Sequence, residues 1–479
     1  MPTCLSIMNN AQLLSDTPDG QRRLFRIEAI AALTLWCYLA SIIVALAISR
    51  SSATILFLTQ HDVHSLGMIY IFVAIAVSLV LYVLSQLSQH ISQERLVLGT
   101  TVAIVLVTLL FFSLKTSPMG ELWLKKLSIF HGLLYLFVET CAVVSTLQFW
   151  TLSNTLFNWT QARRWYPFIT TGGIIGSMVG GWITQQFSMD SPLQMIWVLV
   201  YVAPIIVGSV FILHYCRLQM PSERIRTAKQ SLYPATENRQ LSRPFKLLNR
   251  NLQQQTLDTR KWYKVSRNLS YVVFLTVFTT TLSDFYFKYF AGLHYADDFN
   301  GMSQFFGNYY IAVGITTLAF QTFITPLLLR FGNAFIGLTI MPLALLMGTL
   351  ANLFSPSLIF ALILKLLDSG LSHSVYRNCR ELLFTPLPSS LVGSFKTLAE
   401  GIAGRLGLLC CGTTLLLFSS ILSGNYILIA IGISTIAWMI ALHRLWLTYR
   451  HELPELWENQ PRENTHQTNS DLHPEVTGG

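Results

Sequence analysis

Apolar residues fall in runs of span length, divided by short polar breaks. In the first part of the chain the runs lie near 27–49, 67–86, 97–114, 127–152, 166–187 and 195–214. After a long polar stretch they resume near 269–290, 304–327, 334–354, 358–376, 395–419 and 423–446. A helix needs about 20 apolar residues to cross the hydrocarbon core, so each run predicts a span. The pattern predicts an all-α polytopic membrane protein with about twelve transmembrane helices in two six-helix halves. Its segments are an N-terminal tail (1–26), a first half (27–214), a basic linker (215–268), a second half (269–446) and a polar tail (447–479).

Composition agrees with that class. Of 479 residues, 52% are hydrophobic and only 11% charged, and the mean hydropathy is +0.50. A soluble domain carries about 25% charged residues, and so few could not cover a globular surface of this size. Residues 1–26 are polar, and the run after them lacks a small-x-small cleavage site, so it reads as a retained first span. Basic residues then orient the chain, because cytoplasmic loops are enriched in Lys and Arg. With a cytoplasmic N-terminus, Arg22, Arg23, Arg26, Arg95, Arg163, Arg164 and Arg330 all fall inside, as do the basic residues of the tail. The linker adds twelve Lys or Arg against three acids. Both termini are therefore expected in the cytoplasm. The net charge of +9 then reflects loops lying against anionic lipid and calls for no nucleic-acid partner. Seven cysteines form no C-x-x-C pair and read as small packing residues. His61 and His64 form an H-x-x-H, too little to specify a metal site.

Ionisable side chains within spans are costly and are functional candidates. They are Glu139, Asp284, Lys288, Lys365, Asp368, Glu400 and Arg405. Asp284 and Lys288 share a helical face in the favourable acid-first order, and Lys365 and Asp368 are three apart. Each pair reads either as an inert internal bridge or as part of a gate or substrate site. Glu139 has no basic neighbour along its helix, and that isolation suits a proton-titrating or cation-facing role. Gly172, Gly176 and Gly180 line one face of the fifth span, where glycine lets two helices approach closely. No G-x-x-x-x-G-K-[ST] phosphate loop occurs, which argues against a built-in ATPase. No nucleophile–base pair or metal-ligand set emerges, so neither an enzyme nor a cofactor is expected.

Six spans, a long basic loop and six more spans resemble the major facilitator architecture, in which two halves rock about a midplane site. The usual charged signature between the second and third spans is replaced by LSQLSQHISQER. Two further stretches are more specific. One holds Phe149-Trp150, Asn154 and Gln161-Ala162-Arg163-Arg164-Trp165-Tyr166-Pro167; the other holds Arg377, Arg380-Glu381, Pro386-Leu387, Lys396 and Arg405-Leu406-Gly407. Together they resemble the ATP/ADP translocase family of intracellular bacteria and plastids. The resemblance implies that Arg50, Arg164, Arg380, Glu381, Lys396 and Arg405 occupy charged family positions, and Asn154, Tyr166 and Pro386 structural ones. Ala53, Thr54 and Leu408 stand where the family carries Lys, Asp and Lys. Arg50, Arg377, Arg380 and Lys396, at expected span ends, suit phosphate. The implied activity is exchange of nucleotides or another phosphorylated anion across a bacterial inner membrane. A facilitator for another small solute, proton-coupled through Glu139, is the alternative; a non-transporting receptor is a third.

Overall fold

The computed structural model describes residues 18–88, 90–116, 130–157, 159–186, 197–219, 257–295, 298–331, 334–384, 397–418 and 424–452. Among these the chain is helical almost throughout. The first half contains α1 (Pro18–Gln60), α2 (Leu66–Leu87), α3 (Gln93–Thr116), α4 (Phe130–Leu156), α5 (Trp159–Gln185) and α6 (Trp197–Gln219). The second contains α7 (Leu257–His294), α8 (Phe299–Ala319, continuing to Phe331), α9 (Ala334–Phe354), α10 (Leu358–Leu371, continuing to Phe384), α11 (Thr397–Ala403 followed by Gly404–Leu417) and α12 (Gly424–Glu452). Wider π turns interrupt three rods of the second half, at Phe320–Ile324 in α8, Ser372–Tyr376 in α10 and Thr397–Ala403 in α11.

Helix is the form dictated by a solvent that cannot hydrogen-bond to the backbone. Among the described residues nine helices are long and apolar enough to cross a bilayer, and shorter apolar stretches lie in α6 and α11. The remaining rod, α5, carries the glycines. Lipid-facing stripes are plain on α2, where Met68, Phe72, Ile75, Leu79 and Tyr82 recur every three or four residues and are all exposed. Many hydroxyl residues inside spans bond locally: Ser51 and Ser52 donate to the Ala47 and Ile48 carbonyls at 2.9 and 2.7 Å.

Glycines set the closest helix contacts. A Cβ at Gly172 would lie 2.6 Å from the Trp36 carbonyl oxygen, and one at Gly176 2.6 Å from that of Ala40. At Gly180 it would meet the Ala47 methyl at 2.8 Å, so α5 lies directly along α1. The other flank of α5 joins α8 of the second half, with Gly181 against the Gly307 backbone and Ser303 donating to the Thr184 carbonyl at 2.9 Å. A second junction between the halves joins Gly67 of α2 to Gly412 of α11.

Two hydrophobic cores result. One unites the second half with the Gln60 end of the first, including Phe57, Leu66, Tyr70, Leu134 and Tyr135. The other, around Leu35, Tyr38, Phe149 and Leu213, belongs to the first half alone. The halves therefore share one core at the end where α1 meets α2, and the second core is built from the first half.

Candidate functional site

Four of the ionisable span residues, Asp284, Lys288, Lys365 and Asp368, come together, with Glu139 close by. Asp284 and Lys288 sit one turn apart on α7, and the Lys288 Nζ lies 2.5 Å from Asp284 Oδ2. Lys365 of α10 lies 3.1 Å from Asp284 Oδ1 and 2.9 Å from Asp368 Oδ2. The two pairs expected separately from their spacing are thus one four-membered network, with Lys365 as its bridge. It also reaches across the molecule: Tyr70 of α2 donates to Asp284 Oδ2 at 3.0 Å, and Lys288 donates to the Tyr135 hydroxyl of α4 at 2.5 Å. The Lys288 ammonium lies 5.7 and 5.2 Å from the Tyr70 and Tyr135 ring centroids, within cation–π range.

One turn beyond Tyr135 on α4, Glu139 accepts from Arg50 of α1 at 2.7 Å. This corrects two expectations. Glu139 is not isolated, because its cation comes from another helix rather than from its own. Nor does Arg50 lie at a span end, since α1 continues ten residues past it through Ser51, Ser52, Ala53 and Thr54, all buried. The Arg50 and Glu139 side chains remain 38% and 22% exposed, whereas Asp368 is only 4% exposed. Between them in exposure lie Asp284 at 26%, Lys365 at 11% and Lys288 at 9%.

The remaining candidates lie elsewhere. Arg164 is exposed near the start of α5, its guanidinium carbon 5.7 Å from the Phe25 ring centroid. Arg377 lies over Trp150 of α4 at 5.8 Å, a contact between the halves, and Arg380 lies over Tyr376 at the same distance. Glu381 is exposed. Glu400 falls in the π turn of α11, and Lys396 lies outside the described residues. Arg405 is half-buried between Gly404 and Gly407, and a Cβ at Gly407 would meet the Phe274 carbonyl of α7 at 2.6 Å. The Arg405 Nε has no hydrogen-bond partner among the described residues.

Sequence reasoning missed Tyr70 and Tyr135, which hold the network to the first half, and Glu28, a buried acid near the start of α1. Glu28 accepts from Gln161 and, at 3.5 Å, from Trp165 of α5. His61 packs against the His131 ring with centroids 5.8 Å apart, and among the described residues no group of three or more side chains is placed to hold a metal ion.

With this geometry in view, similarity to solved structures becomes informative. A mutant form of the nucleoside transporter NupG superposes with a TM-score of 0.58 at 16% identity, over 87% of this chain and 99% of that one. The xylose transporter XylE from E. coli, in a partially occluded inward open conformation, gives 0.55 at 12% identity over 88% and 97%. A bacterial homologue of the iron transporter ferroportin, inward-facing, gives 0.53 at 13% identity over 88% and 98%. The chain shares the fold of these transporters, two six-helix halves. No protein-family model matches the chain. In sequence it is similar to ADP,ATP carrier protein 3 of Rickettsia bellii (strain RML369-C), 39% identical over 59 residues. That stretch spans only 12% of each protein.

Proposed function

We propose that this chain is a secondary active transporter that exchanges nucleotides, or another phosphorylated anion, by alternating access. The observation that carries the reading is the ionic cluster: it draws on α1, α2, α4, α7 and α10, and its Arg50–Glu139 pair is the more exposed. The basic loops and linker read from the sequence support a cytoplasmic location for both termini. The short match to an ADP,ATP carrier, the likeness to a nucleoside transporter and the arginines on α10 and α11 support a solute that carries both base and phosphate. Residues proposed to meet the anion are Arg50, Arg377, Arg380 and Arg405, with Lys288 and Lys365 behind them.

Counterflow in proteoliposomes tests this. Labelled ATP should enter vesicles preloaded with ADP, and Arg380→Ala or Arg405→Ala should abolish the signal. The reading fails if wild-type vesicles exchange no nucleotide or phosphorylated solute. A proton-coupled carrier of a different small solute is the second reading. It is favoured by one feature: Arg50, Lys288 and Lys365 are each matched by an acid, so the cluster itself has no excess positive charge. It predicts pH-driven uptake that disappears in Glu139→Gln, without nucleotide exchange.

A further inference from the structure

Trp150 is built as a fixed plate. Phe149 meets it nearly edge-on, with centroids 5.2 Å apart and planes at 80°, and Tyr166 meets it at 5.5 Å and 67°. Tyr166 is itself fixed by donating its hydroxyl to Asn154 Oδ1 at 2.6 Å. What lies over the indole is Arg377, which belongs to the other half and directly follows the π turn of α10. One turn before Arg377, the exposed His373 donates from Nδ1 to the Ser369 carbonyl at 2.8 Å, which leaves Nε2 available to a ligand.

The spacing along α4 matters next. Glu139, the partner of Arg50, precedes Trp150 by eleven residues, roughly 16 Å of helix at 1.5 Å per residue. On one face of α4, about three turns apart, stand an aromatic plate and the carboxylate that holds Arg50. The separation is close to the reach of an extended nucleoside phosphate.

We propose that the Trp150 face, covered by Arg377 from the opposite half, is the stacking platform for the base of a nucleoside phosphate. The phosphates then run toward His373 and Arg50. This rests on the anion-carrier reading above and adds the base as a recognised group. Guanidinium and nucleobase are both planar partners for indole. A base entering between Trp150 and Arg377 widens the gap by one ring thickness. Because the two residues lie on opposite halves, base binding is tied to their relative movement.

The test is equilibrium binding to the full-length protein in lipid nanodiscs, with ADP, inorganic pyrophosphate and adenosine as probes. Trp150→Leu should weaken ADP roughly 5–100-fold, the usual worth of one base–aromatic stack. Trp150→Phe should restore most of that loss, and pyrophosphate binding should not change in either variant. Retained pyrophosphate binding also shows that the variant is folded. Photolabelling of wild-type protein with 8-azido-ADP should mark α4 near Trp150 or α10 near Arg377. The platform is refuted if Trp150→Leu weakens ADP and pyrophosphate equally, since that is the behaviour of a latch between halves. It is equally refuted if ADP binding is unaffected or the label maps elsewhere. Wild-type protein that binds neither ADP nor pyrophosphate overturns the anion-carrier reading itself, and the platform with it.

Discussion

Lys365 and Asp368 form a pair whose two truncations should differ sharply. Lys365 serves two acids, at 3.1 Å to Asp284 and 2.9 Å to Asp368, and its side chain is 11% exposed. Asp368 is more deeply buried, and its Oδ1 has no hydrogen-bond partner among the described residues. Lys365→Met therefore strands a buried carboxylate, which costs about 3–5 kcal/mol when one partner of a buried pair is removed. Asp284 suffers less, because it keeps Lys288 at 2.5 Å and the Tyr70 hydroxyl at 3.0 Å. Asp368→Leu leaves Lys365 still paired with Asp284 and should cost about 1 kcal/mol, the order of one net hydrogen bond. The double variant Lys365→Met/Asp368→Leu exchanges the pair for packed apolar groups and should recover most of the loss. Equilibrium unfolding in mixed micelles, analysed as a double-mutant cycle, measures the coupling. Additive effects, or a larger loss for Asp368→Leu than for Lys365→Met, would refute the assignment of Lys365 as the bridge.

Glu139→Gln removes the carboxylate that holds the Arg50 guanidinium at 2.7 Å. On the anion-carrier reading it should tighten ADP binding several-fold in equilibrium dialysis while slowing counterflow; unchanged or weaker binding counts against Arg50 as an anion ligand. Gly176→Leu forces a side chain against the Ala40 carbonyl, where even a Cβ would lie at 2.6 Å, and should cost at least about 1–3 kcal/mol of stability. Gly99→Ala on α3, where nothing lies within 4 Å of the added methyl, should gain about 0.5–1 kcal/mol. The same unfolding assay reads both, and similar effects at the two glycines would argue against a tight α1–α5 contact.

The spans were legible because a bilayer imposes a length and a composition that single runs of sequence display. Their partners were not. Arg50 looked like a loop residue because Ser51, Ser52 and Thr54 follow it, and a polar cluster normally marks a span end. In the structure those hydroxyls bond to carbonyls or lie buried, so the helix continues to Gln60. Asp284 with Lys288, and Lys365 with Asp368, were visible as pairs because helix periodicity is local. Their union through Lys365 was not, because it depends on how α7 packs on α10. Tyr70 and Tyr135 gave no signal of their own: a tyrosine within an apolar run is equally consistent with core packing. The glycine ladder of α5 announced a close helix contact, but only the fold names α1 as the helix it meets.

If the chain exchanges anions as proposed, the pairing at the centre bears on how the solute is released. Three cations facing three acids form a set that can be dehydrated in either conformation without stranding a charge, and a stranded charge costs several kcal/mol. An arriving anion that uses Arg50 must compete with Glu139 for the same guanidinium. Its net binding energy is then the difference between two ion pairs rather than the whole of one. Binding stays modest by construction, and the departing anion is replaced at once by a carboxylate already one hydrogen bond away. On the exchange reading the swap falls to the more exposed Arg50–Glu139 pair, and the more buried Lys365–Asp368 pair keeps its charges together.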